Sequence, residues 1–184
     1  MRIVRMKITG ATPYSPSKYI DVPKKAKESH NDYEIRTWRE RCNYNEETRI
    51  AEIPAIAFAK MVHAAAKYQP IQHKGVATYT KFFERGLYVP EPLPLNVKVE
   101  DVDGVWLMVP SDGRAGGGKR VKKCFPIFRS WGGVVTYQIL DDTITPKQFE
   151  PTLQTAAAFI GLGRFRPEKC GWNGRFIIDG FEWE

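Results

Sequence analysis

Cysteine and histidine are scarce in this 184-residue chain, three of each, and no long apolar run interrupts its sequence. Cys42, Cys124 and Cys170 are odd in number and show no C-x-x-C spacing, so reduced thiols are expected rather than disulfides or a zinc site. His30, His63 and His73 are scattered, and none lies at ligand spacing from a cysteine or another histidine. No metal and no cofactor is expected. Residues 151–163 and 130–140 are the longest uncharged stretches, well short of the roughly 18 apolar residues that a membrane span needs. At the N-terminus, Arg2, Arg5 and Lys7 occupy the place where an export signal would need a continuous apolar run, so no membrane partner and a cytoplasmic protein are expected. Catalytic signatures are also missing. Asp141 and Asp142 are adjacent and would point to opposite faces of an extended chain, a poor acid and base pair, and a non-enzymatic protein is the expectation.

What remains is an ordinary globular composition, 42% apolar and 27% charged, of a length that suits one domain of about 150 residues or slightly more. Such a domain buries roughly 70% of the surface of its unfolded chain and needs no disulfide or metal to fold. Its one unusual quantity is charge: 28 Lys and Arg against 21 Asp and Glu, a net +7. Two glycine-rich segments hold all of that excess. Residues 112–125 carry Arg114, Lys119, Arg120, Lys122 and Lys123 against Asp112, and residues 161–175 carry Arg164, Arg166, Lys169 and Arg175 against Glu168. Glycine allows close backbone approach with N–H groups turned to a ligand, and the cations supply what phosphates attract. Neither segment is a nucleotide fingerprint. Residues 113–120 match G-x-x-x-x-G-K, but Arg120 stands where a P-loop needs Ser or Thr, and no helix follows. Gly161-Leu162-Gly163 follows a helix instead of joining a strand to one.

The hydrophobic pattern predicts a strand over residues 2–8 that ends at Gly10. Residues 11–50 are polar and irregular but hold Tyr14, Tyr19, Tyr33, Trp38 and Tyr44, and are read as an ordered insertion. A helix is predicted from Pro54 at its first position to about Tyr68, with Ala57, Met61, Ala64, Ala65 and Tyr68 as its apolar stripe and Lys60, His63 and Lys67 on another face. A polar stretch with Lys74 and Lys81 follows, then an edge or extended segment over 86–95, where Pro90, Pro92 and Pro94 alternate. Residues 97–99 and 105–109 flank the turn sequence Asp101-Val102-Asp103-Gly104, which predicts a hairpin. A strand over 133–140 precedes the capping box Thr145-Pro146-Lys147-Gln148, which opens a helix to about Ile160. Ala156, Ala157, Ala158, Phe159 and Ile160 are read as buried. Pro151 is expected to kink or restart that helix, and residues 175–183 form the last strand.

Without the insertions the order is strand, helix, strand, strand, helix, strand: an α+β, ferredoxin-like (RRM-like) βαββαβ core. The segment Gly161-Leu-Gly163-Arg164-Phe165-Arg166-Pro167, continued by Gly171-Trp172-Asn-Gly174-Arg175, resembles the C-terminal glycine-rich loop of the RAMP superfamily of CRISPR proteins, with two residues instead of one between its last glycines. The layout resembles the backbone subunit that coats guide RNA in CRISPR effector complexes, with 11–50 as its insertion, 97–125 as its hairpin thumb and 161–175 as its glycine-rich loop. The chain also resembles a group of small bacteriophage proteins, in Phe125-Pro126, Trp131 and the Gly-x-Gly-Arg-Phe-Arg-Pro ending. The resemblance implies a stand-alone, phage-encoded relative in a bacterial cytoplasm that binds single-stranded DNA or RNA without sequence preference and forms homo-oligomers along the strand. The phosphate-binding candidates are Arg114, Lys119, Arg120, Lys122, Lys123, Arg164, Arg166, Lys169 and Arg175, with Gly161, Gly163, Gly171 and Gly174 shaping the loop. Trp172 either stacks on bases or packs the loop. Secondary candidates are Arg36, Trp38, Arg39, Arg41, Lys60, Lys67 and Lys74. Two alternatives stay open: an anti-defence protein that imitates a CRISPR backbone subunit, and a metal-independent RNA endonuclease with His30 or His63 as general base.

Overall fold

The alternation of charged and apolar residues at the N-terminus produces one strand with a dry face and a wet face. In the computed structural model, which describes residues 1–71, 77–111 and 118–184, Val4, Met6 and Ile8 are buried while Lys7 is exposed. His73, Lys74, Gly113, Arg114, Gly116 and Gly117 fall outside the described residues.

The elements in chain order are β1 (Arg2–Gly10), α1 (His30–Thr37), a 3₁₀ turn (Trp38–Arg41), β2 (Asn43–Tyr44), β3 (Ile50–Ile53), α2 (Ala55–Ala66), α3 (Thr80–Gly86), β4 (Leu87–Tyr88), β5 (Leu93–Lys98), β6 (Asp103–Pro110), β7 (Arg120–Ile127), β8 (Gly132–Ile139), α4 (Pro146–Thr155) and β9 (Phe176–Trp183). The main sheet runs β4-β8-β1-β9 with every neighbouring pair antiparallel. A second sheet runs β2-β3-β5, and β6 and β7 pair alone. The chain is therefore α+β, with antiparallel sheets and, among the described residues, four α-helices.

One core joins the main sheet to α2 and α4. Phe149 of α4 is its hub, with ring centroids 5.3 Å from Tyr137, 5.4 Å from Trp183 and 5.9 Å from Phe181. The Thr145/Gln148 capping box is formed, and α4 runs through Pro151 without a break. It then widens into a π turn, Ala156–Ile160, in which the Gly161 N–H reaches back five residues to the Ala156 carbonyl. The wider turn rotates Ala158 and Phe159 out to solvent, against their expected burial, while Ala156, Ala157 and Ile160 stay in the core.

Three other expectations are corrected. Pro54 lies just before α2 as its N-cap, the buried stripe is Phe58, Met61, Val62, Ala65 and Ala66, and Tyr68 is exposed because the helix ends at Ala66. The polar stretch before residue 86 contains a further helix, α3, anchored by fully buried Phe83. The hairpin across Asp101–Gly104 does not form: β5 pairs with β3, and β6 pairs with β7 from Asp103↔Ile127 to Pro110↔Arg120. The cause is Val99 and Val102, both buried, which make this segment a corner held in the core instead of an exposed turn. Among the described residues no helix is long and apolar enough to cross a membrane.

Candidate functional site

The hairpin β6–β7 stands apart from the main sheet and is fixed at its base by the insertion. Glu34 on α1 accepts two hydrogen bonds from the Arg41 guanidinium, at 2.7 and 3.1 Å, and a third from the Cys124 backbone N–H of β7 at 2.7 Å. Arg41 Nη1 also donates to the Cys124 carbonyl at 3.0 Å. Both charges are buried, and the forked geometry satisfies them together. Trp38 is buried against Gly104 of β6, and Arg39 stacks on its outer side 4.2 Å from the ring. Arg41 and Trp38, both candidates for nucleic-acid contact from the sequence, are buried at the base of the hairpin, where Arg41 is held by Glu34 and the Cys124 carbonyl and Trp38 packs on Gly104.

The glycine-rich loop, 161–175, is folded upon itself. Gly161, Gly163 and Gly174 have φ of +71°, +75° and +76°, a region that side chains with a Cβ rarely adopt. A Cβ on Gly163 would strike the Ser15 carbonyl and the Tyr14 ring, and one on Gly174 the Leu162 backbone. The N–H groups of Gly161, Leu162, Arg164, Gly171, Asn173 and Gly174 donate to carbonyls of the protein itself. The glycines thus pack the loop against its own chain, instead of turning those N–H groups to a ligand.

Its four cations are placed differently. Arg166 pairs with Glu168 at 2.7 Å and donates to the Gly163 carbonyl, and Arg175 donates to the Ala158 and Trp172 carbonyls. Lys169 is exposed. Arg164 turns inward, 4.6 Å from the Phe125 ring, where burial first and the neighbouring Arg41 charge second push its pKa down. Trp172 resolves to the outside, 79% exposed.

The loop forms a wall shared by two clefts. On one side a cavity of about 500 Å³ separates it from the start of α2 and the insertion, and there Lys18, Lys60 and the Arg166–Glu168 pair line it with Ser17 and Asn43. On the other side a groove of about 270 Å³ separates it from the hairpin, lined by Leu107, Phe125, Phe165 and Trp172. Lys123 pairs with Leu107 and lies two residues from Phe125, on the same face of the hairpin. Lys119, Arg120 and Lys122 are exposed along the same arm, Lys122 lying 5.1 Å from the exposed Trp106 ring. Lys67 lies exposed at the far end of α2, and Arg36 is held by Glu28 at 2.8 Å. Lys18 and Ser15 were not singled out from the sequence. Both stand in an irregular segment, and only its folding across the loop gives them a cleft to line.

Histidine chemistry has little to draw on here. His63 is half-buried, its imidazole held below the ordinary range chiefly by burial, and His30 is the exposed first residue of α1. Cys42 is buried and its thiol is pushed up to about 12 by desolvation, whereas Cys170 is exposed. Among the described residues no group of three or more His, Cys, Asp or Glu side chains is arranged to hold a metal.

Fold and site together define a small α+β protein with a basic hairpin arm and a glycine-rich wall between two clefts. No family model matches the sequence, and no curated protein matches it. Among solved structures 24 chains match. One is a chain of the cryo-EM structure of the Type III-B Cmr-beta bound to cognate target RNA, with a TM-score of 0.58 and 9% identity, over 99% of this chain and 60% of that one. At that identity the likeness is one of fold, and this chain spans 60% of the length of that neighbour.

Proposed function

We propose that the chain is a RAMP-like protein with a ferredoxin-like core that binds single-stranded nucleic acid. The observation that carries the reading is a set of cations around one loop: Lys18 and Lys60 in one cleft, where Arg166 is paired with Glu168, and Lys123 on the hairpin face that meets the other, with Arg120 and Lys122 exposed on the opposite face of the same arm. The sheet order β4-β8-β1-β9, with α2 and α4 in its core, is the one that a split βαβ chain produces, and it supports the ferredoxin-like assignment. The Cmr-beta neighbour is a structure with bound RNA, which favours RNA over DNA. A second reading, resting on the likeness of fold to that chain, is association with a CRISPR effector complex by imitation of one of its subunits.

Fluorescence anisotropy with labelled single- and double-stranded oligonucleotides tests the first reading. Tighter binding to single strands is expected, with log affinity falling against log salt at about 0.7 per phosphate contacted. No binding at about 50 mM salt, or a preference for duplex, overturns it. We propose that the hairpin arm and the insertion meet a neighbouring copy on long strands. Protein bound per strand is then expected to rise with strand length.

We further propose that the protein is not an enzyme and acts by binding alone. Labelled RNA and DNA incubated with it, with or without magnesium, are expected to stay intact on a denaturing gel. Cleavage that disappears in a His30→Ala or His63→Ala variant would establish the endonuclease alternative instead.

A further inference from the structure

The groove between the hairpin and the glycine-rich loop has a chemistry that phosphate binding does not use. Three aromatic rings line it: Phe125 from β7, and Phe165 and Trp172 from the loop. Phe125 and Phe165 meet edge to face, with centroids 5.7 Å apart and planes at 82°. Phe165 has φ of +56°, a costly value for a bulky side chain, and yet the ring is left 40% exposed. Its backbone is held there by the Asn173 N–H, which donates to the Phe165 carbonyl at 2.9 Å. Trp172, more exposed still, forms the outer wall.

Two polar residues also line the groove. Ser15, 2% exposed, lines it, and its hydroxyl has no hydrogen-bond partner among the described residues. A buried hydroxyl left without a partner costs about 1–3 kcal/mol, which a ligand edge that donates or accepts would recover. Asn173 lines the same groove with a side chain that can do both. At about 270 Å³ the groove lies just below the usual range of ligand pockets, roughly 300–1,000 Å³, and suits one planar ring system. Lys123, on the same hairpin face as Phe125, puts a cation beside it.

We propose that this groove takes a single unstacked nucleobase of the bound strand, held against Phe165 and Trp172, with Ser15 and Asn173 on its polar edge and Lys123 on the adjoining phosphate. The inference rests on the nucleic-acid reading above and adds to it a base preference at one position per bound protein. Binding is thus tolerant of sequence along the phosphate track and selective at this one place.

The test uses the full-length protein and short single-stranded oligonucleotides carrying one 2-aminopurine. Its fluorescence is expected to change on binding when it occupies one position and to stay constant at the others. Homopolymers of the four bases are expected to differ in affinity by at least about five-fold. Phe165→Ala and Trp172→Ala are each expected to weaken binding about five-fold or more, with the salt dependence unchanged. Ser15→Ala is expected to reduce the difference between homopolymers. A thermal melt of each variant, compared with Lys169→Ala as a folded control, separates loss of the pocket from loss of the fold. Equal affinity for all four homopolymers, with no position-dependent signal, overturns the pocket while leaving the phosphate track intact. Failure to bind any oligonucleotide overturns the nucleic-acid reading and the pocket with it.

Discussion

Glu34→Ala is expected to destabilise the protein by about 3–5 kcal/mol, the usual cost of removing one partner from a buried ion pair. The carboxylate is 1% exposed and serves three donors, two on Arg41 and one on the β7 backbone. Its removal leaves a buried guanidinium without a counter-charge and the Cys124 N–H without an acceptor. The hairpin arm would then lose its attachment to the insertion. Replacing both charges, Glu34→Leu with Arg41→Met, is expected to cost less than Glu34→Ala alone, because no naked charge remains. Urea denaturation measures these values, and Glu100→Ala is the control. That carboxylate pairs with Arg49 at the surface, where solvent screens the interaction and little stability is expected to be lost. Equal destabilisation by Glu34→Ala and Glu100→Ala would show that the buried network does not hold the arm.

Gly163→Val carries the second large effect. With φ at +75°, a branched side chain adds about 1–2 kcal/mol of backbone strain, and its Cβ meets the Ser15 carbonyl and the Tyr14 ring. Overpacking of that kind costs about 1–3 kcal/mol more. Tyr14 lies in the core, 5.7 Å from the Trp131 ring and 5.9 Å from Phe128, so it cannot give way freely. The variant is expected to melt lower and to lose nucleic-acid binding, because both clefts share the loop as a wall. Lys169→Ala is expected to leave the melt unchanged and to lower the salt dependence by about 0.7, the share of one phosphate contact. A folded Gly163→Val protein with unaltered binding would separate the loop from the interface.

Much of the core was legible because its signals are local. The alternation in β1, the capping box of α4 and the β-branched run of β8 each lie within a few residues, and each formed close to the expected bounds. The hairpin was misassigned for the complementary reason. Asp101-Val102-Asp103-Gly104 has the composition of a tight turn, and only the burial of Val99 and Val102 reveals a corner. Helix α3 was missed because a seven-residue helix shows less than two full apolar repeats. In the candidate site, sequence composition identified the charged glycine-rich loop but not which cations stay free. Arg166 and Glu168 are two residues apart and could be suspected of pairing, whereas Arg41 and Cys124 are 83 apart and could not.

The amino-acid sequence alone determined the excess of positive charge, its concentration in two glycine-rich segments, and the strands and helices of an α+β core. These are properties of composition and of short-range periodicity, which survive without knowledge of what packs on what. Tertiary structure decided the rest. It turned Arg41 and Trp38 into supports of the hairpin, left Trp172 exposed and Lys123 partly so, and brought Ser15, Phe125 and Phe165 around one groove. The availability of a side chain depends on burial and on hydrogen-bond partners, and both are set by residues distant in sequence that the fold makes neighbours.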